Sequence, residues 1–191
     1  MRKLILTLFI IIGSFAASAQ SLLETFERSL ESLKTYRVEF EVMVESYSTR
    51  GEYVVSGSDF YTKVDGTEYY VAGGVKYEVN NRTKEITIDS AESLGSDLLS
   101  NPARGFSVLA RDFNSTPATI DGRAAIELTS KQGGEESIVI VADSSGRLPQ
   151  IICYSYASSS MVIALHSITS CDSLPLFSTT NYVDYELVDM R

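Results

Sequence analysis

From Thr35 to Asp89 apolar and polar residues alternate in short bursts, and each burst ends at a turn rich in Gly or Asn. Tyr36, Val38, Phe40, Val42 and Val44 interleave with Arg37, Glu39, Glu41, Met43 and Glu45. That is the two-residue period of a strand with one wet and one apolar face. The runs Glu52–Gly57, Phe60–Val64, Thr67–Ala72, Val75–Val79 and Glu85–Asp89 continue the pattern, separated by Gly57-Ser58, Asp65-Gly66, Gly73-Gly74 and Asn80-Asn81. Such pairs supply the left-handed residues of tight hairpins. A meander of this kind must bury its apolar face against helices, a second sheet or a hydrophobic ligand.

Ahead of it, Leu22, Leu23, Phe26, Leu30 and Leu33 recur at helical spacing, with Glu24, Arg28, Glu31 and Lys34 opposite. The spacing predicts an amphipathic helix packed on the sheet. After the meander, Ser90–Leu99 and Pro102–Asp112 read as two short helices. Their apolar stripes are Leu94, Leu98 and Leu99, then Phe106, Val108, Leu109 and Phe113, with Asn101-Pro102 as the break. A second meander follows at Ala124–Ser130, Glu136–Ala142, Leu148–Tyr156 and Met161–Ile168, and a last strand at Asn181–Val188. About eleven strands with three helices cannot pair off as parallel βαβ units. The expected class is mainly β (α+β): a strongly curved antiparallel half-barrel with an N-terminal helix and short lid helices over its concave face.

Arg2-Lys3, the apolar run Leu4–Ile12 and the small residues through Ala17-Ser18-Ala19 have the three regions of a cleavable secretory signal. The apolar run is shorter than the roughly 20 residues of a membrane span, and no Cys stands at the junction for lipidation. Residues 20–191 are then a single soluble domain in the periplasm, without stable membrane insertion and expected as a monomer. Loss of Arg2 and Lys3 takes the formal charge from −9 to −11, and an acidic surface argues against nucleic acid as a partner. Cys153 and Cys171 could pair in an oxidising compartment, but the spacing favours two separate thiols: Cys153 would face about Ala164, with Cys171 past the end of the ladder.

The order of parts resembles the LolA family of periplasmic lipoprotein carriers, over about Leu22 to Arg191. The residues that carry the resemblance are Leu33-Lys34-Thr35-Tyr36-Arg37-Val38-Glu39-Phe40 after the opening helix, and Gly51 to Tyr61 as a Gly-led strand pair. The hairpin Val71-Ala72-Gly73-Gly74-Val75-Lys76-Tyr77-Glu78-Val79 and the helical Leu98-Leu99-Ser100-Asn101-Pro102 complete it. Two features depart from the family. Its basic residue in the third-strand region has only Gly57, Ser58 and Asp59 nearby, with Tyr61 or Lys63 as possible substitutes, and Gly73-Gly74 replaces an acidic-Gly turn. The resemblance implies a cavity that takes acyl chains of lipoproteins from an inner-membrane lipoprotein-releasing ABC exporter and delivers them to the outer membrane, with or without an acceptor there. The inward phase of each strand nominates Val38, Phe40, Val42, Val55, Phe60, Val71, Tyr77, Ile86, Ile140 and Ile152 as lipid-contacting residues, with Leu98, Leu99, Phe106 and Leu109 from the lid. For any one of them the alternative is ordinary core.

Catalytic patterns are sparse. His166 sits in a strand with no Cys or carboxylate beside it at ligand spacing, and neither a zinc motif, a G-x-S-x-G elbow nor an S-x-x-K motif occurs. Glu39, Glu41 and Glu45 read as a solvated strand edge. Asn81-Arg82-Thr83 and Asn114-Ser115-Thr116 fit the glycosylation sequon, which matters only in a eukaryotic source. No cofactor, metal or catalytic residue is expected. The leading reading is a lipoprotein carrier. Its competitors are a sensor module of the same fold that reads acylated ligand to a partner, and a small-molecule enzyme.

Overall fold

A computed structural model describes residues 22–94, 101–103, 105–157 and 159–191. Helix α1 spans 22–32. Strands β1 (Thr35–Val44), β2 (Tyr47–Ser56), β3 (Asp59–Val64), β4 (Thr67–Ala72), β5 (Val75–Asn80) and β6 (Glu85–Ser90) form the first meander. A 3-10 turn (Ala91–Ser93) and helix α2 (Gly105–Asp112) follow. Then come β7 (Phe113–Ile120), β8 (Arg123–Ser130), β9 (Glu136–Ala142), β10 (Pro149–Tyr156), β11 (Ser159–Ser170), a 3-10 turn (Thr179–Asn181) and β12 (Glu186–Asp189). Twelve strands join one sheet in the order β12-β6-β5-β4-β3-β2-β1-β11-β10-β9-β8-β7. The protein is thus mainly β, with an open sheet, as expected. One pairing departs from the antiparallel rule: β12 runs parallel to β6. Among the described residues no helix is long and apolar enough to cross a membrane.

Two differences from the sequence reading have simple causes. β7 carries Asn, Ser, Thr and Pro117, a loop-like composition, yet it pairs with β8 from end to end. As the last strand of the order it can hold a proline without breaking an internal ladder. The expected strand at Asn181–Val188 shrinks to Glu186–Asp189, because Thr179–Asn181 turns as a 3-10 helix. In the described part of the expected helix Ser90–Leu99, residues 90–94, there is a 3-10 turn at Ala91–Ser93, and Leu98 and Leu99 lie outside the described residues. Two of the expected turns behave as read: Asp65 and Gly66 both have positive φ, 47° and 76°, as do Asp121 and Gly122 at 51° and 76°. The expected Asn80-Asn81 turn differs, since Asn80 closes β5 and the connection to β6 takes residues 81–84.

By contacts the chain falls into two compact units. The first takes in α1 as far as Leu30 and Phe106–Ala164. Its register aligns Ile126, Ile140, Ile152 and Ile163 in one row across β8, β9, β10 and β11, all of them buried. Phe26 of α1 meets Phe106 of α2 with ring centroids 6.1 Å apart. Cys153 pairs with Val162 rather than the expected Ala164. Both cysteines are free thiols.

The second unit, Glu31–Gly105 and Leu165–Arg191, has apolar residues on both faces of β1–β6. On one face Val54, Tyr61, Tyr70, Val79 and Ile86 form a cluster covered by Leu174, Phe177, Tyr182 and Tyr185 of the C-terminal segment. Phe177 stacks on Tyr77 at 4.1 Å and on Tyr182 at 5.7 Å. At the centre is the buried Glu68 carboxylate. It accepts from Tyr70 (2.8 Å), Asn81 Nδ2 (3.0 Å) and Tyr61 (3.1 Å), with Lys63 Nζ at 3.7 Å. The Tyr182 hydroxyl lies 3.2 Å from this carboxylate and 2.7 Å from the Tyr70 oxygen, bridging the two. Tyr185 donates to Asn81 Oδ1 at 2.8 Å, and Lys84 pairs with Asp184.

Two outcomes follow. Desolvation pushes the Glu68 carboxyl up, but the hydrogen bonds from Tyr70 and Asn81, the Lys63 charge and the Tyr61 bond outweigh it and leave it below its ordinary value. A depressed carboxyl stabilises the fold above its unfolded pKa of about 4.3, and that contribution is lost as pH falls through the folded value. Urea midpoints of the wild type therefore drop on the acid side of about pH 4.3, whereas Glu68→Gln starts lower at neutral pH and shows a flatter acid limb. Parallel curves for the two proteins would contradict this. Separately, a Cβ on Gly51 would come within 2.5 Å of the Phe40 ring and 2.7 Å of the Lys63 carbonyl oxygen. Gly51→Ala should cost about 1–3 kcal/mol in denaturant unfolding through overpacking, and an unchanged midpoint would refute that close approach.

Candidate lipid-binding site

The other face of β1–β6 is assembled by hairpin register alone. Three cross-strand rows can be read from the pairings. Tyr36 faces Val55, then Phe60, Val71, Lys76 and Asp89. Val38 faces Tyr53, then Thr62, Tyr69, Glu78 and Thr87. Phe40 faces Gly51, then Val64, Thr67, Asn80 and Glu85. Residues in such rows are near neighbours on one face. Apart from Thr62 and Thr67 the rows are apolar or aromatic from β1 to β4, and they turn polar at β5 and β6. Val42 extends the apolar end, and Phe40 lies against Gly51 with its ring 5.8 Å from Tyr53.

Of the residues nominated from sequence, Val38, Phe40, Val42, Val55, Phe60 and Val71 come together on this floor, and all six are buried. Tyr77 and Ile86 do not: they point to the opposite face, in the cluster with Phe177 and Tyr182. The two-residue turn at Gly73-Gly74 pairs Ala72 with Val75, so Lys76 and Glu78 fall in phase with Val71 and Tyr69. The apolar phase of β5 and β6 therefore serves the face beneath the C-terminal segment. Phe106, Leu109, Ile140 and Ile152 are buried in the first unit. Sequence reasoning missed Tyr53, Thr62 and Tyr69. Each stands two residues from a nominated position and was legible by extending the same alternation.

A cavity of about 270 Å³ opens on this floor, lined by Phe60, Val71, Ser58, Gly74, Leu94 and Asn101, with Ser90, Ala91 and Glu92. Its walls are the turn ends of the hairpins and the 3-10 segment after β6. At the polar end of the rows Lys76, its side chain only 13% exposed, lies 3.6 Å from Asp89 and 3.8 Å from Glu78. Burial, then the Glu78 charge and hydrogen bond, hold the Tyr69 phenol above its ordinary value. Burial likewise pushes Tyr36 up to about 12, so these phenols stay neutral hydroxyls at physiological pH.

A larger groove of about 550 Å³ adjoins the third row, lined by Phe40, Gly51 and Val64 of that row and by Gly66, with Glu39, Arg50, Glu52, Lys63, Asp65 and His166 around them. Charges of both signs interleave there around the apolar Phe40 and Val64. His166 does meet a carboxylate across the sheet, Glu41 at 3.2 Å, and Ser167 bonds Glu39 at 3.1 Å. Glu39 and Glu41 are thus on an internal strand, between β2 and β11, and not on the solvated edge expected from sequence. Among the described residues no three His, Cys, Asp or Glu side chains converge as metal ligands.

No family model and no curated protein sequence matches the chain. Solved structures do. An uncharacterized conserved protein from Thermus thermophilus is similar with a TM-score of 0.56 at 9% identity, over 90% of this chain and 99% of that one. LprF from Mycobacterium bovis gives 0.49 at 14% identity over 84% and 97% of the two chains. A LolA superfamily protein from Nitrosomonas europaea gives 0.41 at 11% identity over 86% and 96%. At these identities the likeness is one of fold. The chain shares its fold with the Thermus protein over nearly its whole length.

Proposed function

We propose that residues 20–191 act as a non-enzymatic periplasmic carrier that holds acyl chains of lipoproteins against the β1–β4 floor, receives them from an inner-membrane ABC exporter and releases them at the outer membrane. The observation that supports this reading is the continuous apolar floor of Val38, Phe40, Val42, Val55, Phe60 and Val71, opened by a cavity over Phe60 and Val71. Each methylene that leaves water contributes about 0.8 kcal/mol, so an acyl chain needs an apolar surface and few polar contacts. The cavity is just below the roughly 300–1,000 Å³ typical of small-molecule sites. It accommodates part of one chain, and the remainder must displace contacts that already bury the floor. That displacement lowers net affinity, which is what a carrier that must release its cargo requires.

The test uses delipidated mature protein and a triacylated peptide in a binding titration, followed by transfer to acceptor vesicles. Leu94 lines the cavity and is only half-buried, so Leu94→Glu places a charge there with little risk to the fold. It should weaken binding at least about tenfold, on a free-energy scale of about 1.4 kcal/mol per decade, without moving the urea midpoint. Leu187→Glu, on exposed β12, should bind as wild type. Equal affinities for Leu94→Glu and wild type would overturn the site, and binding without transfer would favour a sensor over a carrier.

A further inference from the structure

The middle row of the floor carries one polar atom without a partner. Thr62 is 3% exposed, and its hydroxyl oxygen is buried with no hydrogen bond. A buried hydroxyl left unpaired costs free energy comparable to a lost hydrogen bond, so native structures keep few of them. Valine would fill the same volume at β3 without that cost. Its neighbours in the row are Tyr53 and Tyr69. Along β3 it shares a face with Phe60, two residues away or about 7 Å, and Phe60 is part of the cavity floor. A chain that enters over Phe60 and Val71 reaches Thr62 next.

We propose that the Thr62 hydroxyl is a polar subsite of the floor, donating a hydrogen bond to a neutral carbonyl, the ester or amide that joins an acyl chain to its headgroup. This rests on the acyl-binding reading above and names the ligand class more closely. Charge decides between an ester and a free carboxylate. In Thr62's own row the next side chain beyond Tyr69 is Glu78, and Lys76, the nearest cation on that face, already pairs with both Glu78 and Asp89. A fatty-acid carboxylate at Thr62 would meet a net negative neighbourhood in a desolvated place, whereas a neutral carbonyl accepts one hydrogen bond and brings no charge.

The experiment compares three probes of equal chain length on wild type, Thr62→Val and Thr62→Ser: a palmitoyl methyl ester, the matching alkyl ether without a carbonyl, and palmitate. The wild type should bind the ester about three- to tenfold more tightly than the ether or palmitate, the range of one net hydrogen bond. Thr62→Val should lose that preference while binding the ether unchanged, and should unfold at higher urea than wild type. Thr62→Ser should restore the preference, which a purely structural role for the hydroxyl would not do. If Thr62→Val keeps the wild-type ester preference, the subsite is wrong while acyl binding stands. If wild type binds none of the probes, the acyl-binding reading itself fails and the subsite with it.

Discussion

The Glu68 carboxylate is held out of water beneath a chain segment more than a hundred residues downstream, and the donors around it keep it ionised there. An unpaired buried carboxylate would cost several kcal/mol or take up a proton. Here Tyr61, Tyr70 and Asn81 donate to it, Lys63 lies alongside, and Tyr182 closes the arrangement from the C-terminal side. Tyr70 and Asn81 are themselves fixed by ring packing or by a second bond: Tyr70 against Phe177 and Tyr182, Asn81 by Tyr185 and the Gly66 carbonyl. This specifies the register of the C-terminal segment on β3–β6 more tightly than apolar packing alone, because a shifted segment would leave the charge with fewer donors.

The consequence for function lies on the reverse side of the same strands. A sheet with apolar residues on both faces must cover both, and residues 171–191 are committed to the face that holds Glu68. The face of Val38, Phe40, Phe60 and Val71 is the opposite one, and its residues are buried as well. Its polarity is graded from aliphatic and aromatic rows on β1–β4 to Lys76, Glu78 and Asp89 on β5 and β6. The groove near His166 is larger and shares Phe40, Gly51 and Val64 with the third row of the floor, with charges of both signs around them.

The meander was legible in the sequence because short turns, of two residues and, between β5 and β6, of four, leave the alternation phase little freedom: β3, β4, β5 and β6 fall within one residue of the expected runs. Six of the nominated residues share one face for the same reason. What could not be read was which face each apolar phase serves once a distant segment adds a second core. Tyr77 and Ile86 were assigned to the floor because they are apolar, whereas the turn at Gly73-Gly74 puts them on the other side. The aromatic residues Phe177, Tyr182 and Tyr185 sit in a stretch without periodicity, so nothing local marks them as a cover. β7 was hidden by its edge composition.

The central claim, that the β1–β4 floor is the acyl-binding surface, is tested most directly by photocrosslinking with a palmitoyl ester that carries a diazirine in mid-chain. The delipidated protein is irradiated and the labelled peptides are mapped by mass spectrometry. Labels on the β3 and β4 peptides that contain Phe60, Thr62 and Val71 are the predicted result. Labels confined to the His166 and Arg50 groove, or to the exposed residues of β12, would contradict it.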